Sequence, residues 1–171
     1  MNLPVIDITS QAGGHFNCVA CDDLVDVLHK TSAVIIRDPR VTRDDNERYL
    51  DMMERYFDRP TEEVRTDLLA QEGVGPETAD SILLYAGGHA VFLVDAYTVR
   101  IGQRIGLFDA DDYEAVQRHF EERVPHDRAT YQEYHALLVA HAKALCRPTP
   151  VCGSCPLRDI CQVGRRRTRH R

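Results

Sequence analysis

Gly73-Val74-Gly75-Pro76-Glu77-Thr78-Ala79-Asp80-Ser81, running on to Val94-Asp95-Ala96-Tyr97, is the stretch on which the fold of this chain turns. A Gly-x-Gly turn opens directly into a helix. Glycine suits a backbone that must take positive φ or approach a ligand closely. Pro76 suits the first helical position, where a missing N–H costs no intrahelical bond. Ala79, Ile82, Leu83 and Ala86 then fall on one helical face, and Gly87-Gly88-His89 ends the helix. Free N–H groups and the positive dipole end at the helix start can hold a phosphate. Gly73, Val74 and Gly75 are therefore candidate contacts to a nucleic-acid backbone. Taken alone, the same Gly-x-Gly is also an ordinary tight turn between helices. Ala90 to Val94 reads as an apolar connector, and Asp95 as the cap of a helix reaching Ile105.

Two more helices are predicted downstream. Asp111 to Val124 carries Tyr113, Val116, Phe120 and Val124 in register, and Pro125 breaks it. Arg128 to Cys146 offers Tyr131, Tyr134, Leu137, Leu138, His141 and Leu145 to a core. It leads into Cys146-x5-Cys152-x2-Cys155-x5-Cys161, four cysteines within 16 residues, which is dense enough to call for a metal or a cluster. Four thiolates can hold a [4Fe–4S] cube or a structural zinc ion. Two disulfides are disfavoured in a reducing compartment.

Residues 73–105 resemble the helix-hairpin-helix, Gly/Pro…Asp superfamily of DNA glycosylases, the endonuclease III group. The matching pieces are Gly73-Val74-Gly75, Thr78-Ala79, Ile82-Leu83, Val94-Asp95 and Arg100…Arg104-Ile105-Gly106-Leu107. Glu77 to Ala86 and Val94-Asp95-Ala96-Tyr97-Thr98 look most like the branch that includes 3-methyladenine glycosylases. The resemblance covers roughly residues 70–171. It implies that Asp95 occupies the family's essential aspartate, where a fixed carboxylate stabilises positive charge building on the sugar and orients or deprotonates the attacking water. It implies a [4Fe–4S] cluster on Cys146, Cys152, Cys155 and Cys161. The family's spacing is one residue longer in the first gap, which here contains Pro148 and Pro150. His141-Ala142-Lys143 resembles the His-Gly-basic element before the cluster, so Lys143 is a candidate DNA contact.

Two departures narrow the chemistry. Bifunctional members place a lysine where this chain has Glu77, and that lysine forms a Schiff base with the sugar. A carboxylate cannot, so the resemblance implies a monofunctional glycosylase using water. Gln71-Glu72 stands where Leu-Pro usually precedes the hairpin, and Glu72 weakens DNA binding by its charge.

Charge divides the chain. All the excess acidity behind its net charge of −6 lies in residues 1–70, whereas residues 71–171 are neutral overall and residues 144–171 hold seven arginines against one aspartate. That basic end, with Arg147, Arg158 and the tail Arg165 to Arg167, Arg169 and Arg171, suits phosphates or is a disordered end. No apolar run approaches a membrane span and the N-terminus lacks a signal-peptide pattern. The expected location is cytoplasmic and nucleoid-associated, or nuclear in a eukaryote.

The first third reads differently. Leu3 to Ile8 and Ala33 to Arg37 read as short strands, Asp22 to Lys30 as a helix, and Thr42 as the cap of a helix to Phe57 with Tyr49, Leu50, Met53 and Phe57 on one face. Cys18-Val19-Ala20-Cys21 is half a zinc site, a redox pair or, as favoured here, two unpaired thiols. Pro4-Val5-Ile6-Asp7, Val34 to Asp38 and Tyr56 to Glu63 resemble the N-terminal arm of isopenicillin N synthase-like Fe(II)/2-oxoglutarate oxygenases over about residues 3–66. The iron-bearing core of that family is absent, and the single His-x-acid, His119-Phe120-Glu121, lies in a helical run and reads as a surface feature.

The expected architecture is mainly α: the C-terminal half of a helix-hairpin-helix DNA glycosylase with an iron–sulfur loop, preceded by a small α/β segment. The boundaries fall at 1–68, 69–145 and 146–171. The expected activity is base-excision repair on duplex DNA, with no membrane and no organic cofactor. A non-catalytic DNA-binding module with an incomplete site is the first alternative, and the remnant of an oxygenase the second.

Overall fold

The computed structural model describes residues 5–7, 26–27, 30, 35–38 and 40–168. Two compact units divide at residue 53, Met1–Met53 and Glu54–Arg171. Cys18, Cys21, Arg169 and Arg171 lie outside the described residues.

In the first unit, β1 (Val5–Asp7) and β2 (Ile35–Arg37) pair in parallel with Val5 opposite Ile35. Both expected strands therefore form, and both are short. Helix α1 (Arg43–Phe57) starts where Thr42 was expected to cap it. The Thr42 hydroxyl accepts from the Asp45 N–H at 3.1 Å, and the Asp45 carboxylate accepts from the Thr42 N–H at 3.0 Å, a reciprocal cap that satisfies two orphan donors. No residue of α1 is buried, and Tyr49 and Leu50 are exposed.

The second unit is built from helices. They are α2 (Thr61–Leu69), α3 (Pro76–Ile82) with a π-turn over Leu83–Gly87, α4 (Ala96–Ile105), α5 (Tyr113–Glu121), α6 (Arg128–Ala144) and α7 (Gln162–Thr168). This unit takes in the chain from Glu54. Val64 is fully buried against Leu83 and Val91, and Tyr56, Phe57 and Leu68 pack on the same cluster. The turn of helix before the hairpin thus belongs to the same core as the hairpin.

The main core gathers Leu84, Phe92, Leu93, Val94, Val116, Phe120 and Tyr131. Phe92 and Phe120 stack with ring centroids 4.4 Å apart, and each such ring removed from water contributes about 1.5–3 kcal/mol. Val116 and Phe120 are buried as their spacing predicts. Tyr131 is buried too, but Leu137 is 62% exposed and Tyr134 lies at the surface. The inward stripe of α6 is narrower than its apolar residues suggest.

The connector Val91–Val94 is buried, and among the described residues no strand lies beside it. Buried backbone groups need partners, and one face of α5 supplies them. Glu121 Oε1 accepts from the Phe92 N–H at 3.1 Å, Gln117 Nε2 donates to the Phe92 carbonyl at 2.8 Å, and the Tyr113 hydroxyl accepts from the Val94 N–H at 3.4 Å. These three residues are spaced four apart, so they rise along one helical face. Glu121 is therefore a structural partner of the connector and not a surface feature. Behind it, Asp80 is fully buried and accepts from Arg65 Nε at 2.7 Å, Arg65 Nη2 at 3.1 Å, the Tyr113 hydroxyl at 2.8 Å and Gln117 Nε2 at 2.7 Å. Burial, and then the negative charge of Asp80, push the Tyr113 phenol well above its ordinary range. It stays protonated and keeps donating.

Candidate active site and cysteine loop

Asp95 ends the buried connector and starts α4. Its Oδ1 accepts from the Thr98 N–H at 2.7 Å and the Thr98 hydroxyl at 2.8 Å, so it is the N-cap that its position predicts. Thr98 is fully buried, which fixes the carboxylate. The other oxygen, Oδ2, lies 3.6 Å from His135 Nε2 on α6. On the far side of that imidazole, His135 Nδ1 lies 2.7 Å from the Tyr85 hydroxyl in the π-turn. Tyr85 and His135 carry no motif, and sequence reading passed over both.

The hairpin adopts the turn its glycines allow. Gly73 has φ +84°, in the region that favours glycine, and Gly75 is the extended N-cap before Pro76. Nothing lies within 4 Å of where a Cβ would stand on either glycine, so the outer face of the turn is open. Val74 is half-buried and donates its N–H to the Gln71 carbonyl. Glu77 is exposed in the first turn of α3, where a negative charge suits the dipole. Gly88, with φ +79°, closes the π-turn.

Cys146, Cys152, Cys155 and Cys161 are all free thiols. They line one pocket, together with Ile101, Ile105, Leu145 and Val163. The short first gap is held from α4. Arg104 donates from Nη1 to the Arg147 carbonyl at 2.6 Å and to Cys146 Sγ at 3.3 Å, and from Nη2 to the Pro148 carbonyl at 2.9 Å. Arg100 Nε donates to the Cys146 carbonyl at 2.9 Å. An arginine fork thus ties down the proline-rich loop. The Gly164 N–H points at Cys161 Sγ from 3.5 Å, and His141 Nε2 lies 3.7 Å from Cys155 Sγ. Gly164 packs so closely that a Cβ there would stand 2.7 Å from the Arg158 carbonyl oxygen.

Among the described residues no three His, Cys, Asp or Glu side chains converge as a set for one metal ion. The cysteines surround a pocket rather than a point. Four unpaired thiols, apolar walls and N–H donors to sulfur are the surroundings a thiolate-bound cluster needs, so the residues present fit one. Lys143 is exposed, and its carbonyl accepts from Arg147 Nε at 2.9 Å. Its neighbour Ala142 is buried with Ile101 and Cys146. His119-Phe120-Glu121 is helical: His119 stands edge-on to Phe108 and Phe120 sits in the core.

No family model matches the chain. Curated relatives do. A Methanocaldococcus jannaschii protein with the provisional name DNA repair glycosylase is 45% identical over 105 residues, 61% of this chain and 48% of that protein. Endonuclease III of Sulfolobus acidocaldarius is 31% identical over 103 residues, 59% of this chain and 45% of the relative. Over these stretches the chain is similar to endonuclease III-like DNA glycosylases. It spans about half the length of the curated relatives it matches. The fold agrees: a non-covalent endonuclease III–DNA complex superposes with a TM-score of 0.56 at 22% identity, over 68% of this chain and 71% of the other. No helix among the described residues is long and apolar enough to cross a membrane.

Proposed function

We propose that this chain acts in DNA base-excision repair as a monofunctional N-glycosylase that removes damaged bases, alkylated ones among them, from duplex DNA. The observation that carries the proposal is the state of Asp95. One carboxylate oxygen is anchored by Thr98, and the other has no hydrogen bond within 3.5 Å among the described residues. An anchored carboxylate with one oxygen available stabilises a sugar cation and orients water against it. Gly73, Val74 and Gly75 would grip the phosphate backbone, with Lys143 as a further contact, because the turn is open and presents backbone rather than side chains. Cys146, Cys152, Cys155 and Cys161 would hold the [4Fe–4S] cluster, which pins the loop.

The test is release of free base from methylated duplex DNA. Release without a borohydride-trapped protein–DNA adduct is expected, because Glu77 offers no amine. A trapped adduct would show a lysine nucleophile elsewhere and overturn the water mechanism. DNA binding with no base release would leave the non-catalytic module as the correct reading.

The cofactor is tested separately. Protein purified without oxygen is expected to be brown, with broad visible absorption and about four irons per chain. A colourless, iron-free protein would sink the cluster. Replacing Arg104 by alanine removes three hydrogen bonds from the loop and one from a cluster thiol. The visible absorption is then expected to bleach faster in air, and affinity for the cluster iron to fall by about 10- to 100-fold, the size of outer-shell losses at metal sites.

A further inference from the structure

Three elements meet at Asp95, and only one of them is explained by capping. The Asp95 side chain is 10% exposed and that of His135 is 20% exposed. Oδ1 is fully engaged by Thr98. Oδ2, the oxygen left to act, has the imidazole of His135 as its polar neighbour at 3.6 Å. His135 in turn is held by the Tyr85 hydroxyl at 2.7 Å on its other nitrogen, with the two rings edge-on at 5.8 Å. Tyr85, His135 and Asp95 come from the π-turn, the middle of α6 and the N-cap of α4, so no local structure demands the alignment.

The order of donors follows from charge. If Nδ1 carried the imidazole proton, the lone pair of Nε2 would face a carboxylate, which is repulsive. If the Tyr85 hydroxyl donates to Nδ1, then Nε2 carries the proton and points at Oδ2, and both contacts are attractive. A neutral imidazole in this tautomer orients the carboxylate and leaves its negative charge intact. A direct cationic partner would cancel the charge needed against a sugar cation. Burial, with the charge of Asp95 added, raises the Tyr85 phenol above its ordinary range, which keeps it a donor.

We infer that His135, locked in its Nε2–H tautomer by Tyr85, is a positioning residue that aims Asp95 Oδ2 at the reacting sugar or its attacking water. This rests on the glycosylase reading of Asp95. The 3.6 Å separation is the kind of contact that shortens when substrate closes the site. No bond is made or broken at His135; it holds the acting oxygen and passes on no proton.

The experiment has two arms, both on the full, cluster-loaded chain. Nitrogen-15 NMR of labelled histidine reads the tautomer directly without substrate. Nε2–H is expected for His135, with Tyr85→Phe allowing the Nδ1–H form to appear. Single-turnover release from methylated duplex DNA reads the role. His135→Phe is expected to slow release by about 10- to 100-fold, the size of outer-shell losses elsewhere, with DNA affinity unchanged. His135→Gln places an amide N–H near the Nε2 position and is expected to recover most of that loss, which a purely structural role would not produce. An Nδ1–H tautomer in the unsubstituted protein overturns the inference. So does a His135→Phe protein of undiminished rate, or a His135→Gln protein as slow as His135→Phe. Absence of base release by the unsubstituted protein, with the Nε2–H tautomer present, overturns the glycosylase reading and the role of His135 with it, while the hydrogen-bond chain stands as structure.

Discussion

Asp95→Asn is expected to lower single-turnover base release by about a thousandfold, with almost no change in stability. The two halves of this expectation come from the two carboxylate oxygens. Oδ1 caps α4 through Thr98, and asparagine is as good an N-cap as aspartate. The helix start therefore survives. What is lost is the negative charge proposed to stand opposite the sugar, which is most valuable where water is excluded. Asp95→Ala serves as the contrast: it loses the cap as well, at about 1 kcal/mol. The measurement pairs base release with thermal unfolding of both variants. If Asp95→Asn released base within a few-fold of the unsubstituted rate, Asp95 would be a cap and nothing more.

The second large effect is structural and lies behind the site. Asp80→Ala is expected to cost about 3–5 kcal/mol, because removing one member of a buried ion pair leaves the other uncompensated. Asp80 is fully buried and takes four hydrogen bonds, two of them from Arg65, whose side chain is 18% exposed. Against the total stability of about 5–15 kcal/mol typical of a domain, this is a large share. Arg65→Ala is expected to cost less, since Asp80 keeps Tyr113 and Gln117 as donors. Tyr113 and Gln117 also hold the connector that carries Asp95, so Asp80→Ala is expected to slow base release under conditions where the protein is still folded. Urea denaturation gives the ranking. An Asp80→Ala cost below about 1 kcal/mol, the net worth of a single ordinary hydrogen bond, would show that the network is not what holds α2, α3 and α5 together.

Much of the site was legible because it is made of residues whose backbone demands are local. Gly73 must reach positive φ, Gly75 and Pro76 start a helix, Asp95 caps the next one, and four cysteines close in sequence line one pocket. The helices α5 and α6 followed from apolar periodicity for the same reason. Where the second compact unit begins is not legible in the sequence, because it depends on Tyr56, Phe57 and Val64 packing on Leu83 and Val91. Glu121 was misread because a polar residue beside a buried Phe gives no sign that it faces an unpaired N–H.

Residue type and spacing were therefore enough for the hairpin, the capped aspartate and the cysteine loop, since each depends on φ, capping or closeness within a short run of chain. Packing alone brought Tyr85 and His135, fifty residues apart, to the free oxygen of Asp95, set Arg104 over the loop of Cys146 and buried Asp80 beneath the connector. Those contacts join helices that are distant in sequence. They are chosen by how whole helix faces fit together, and no local pattern records that choice.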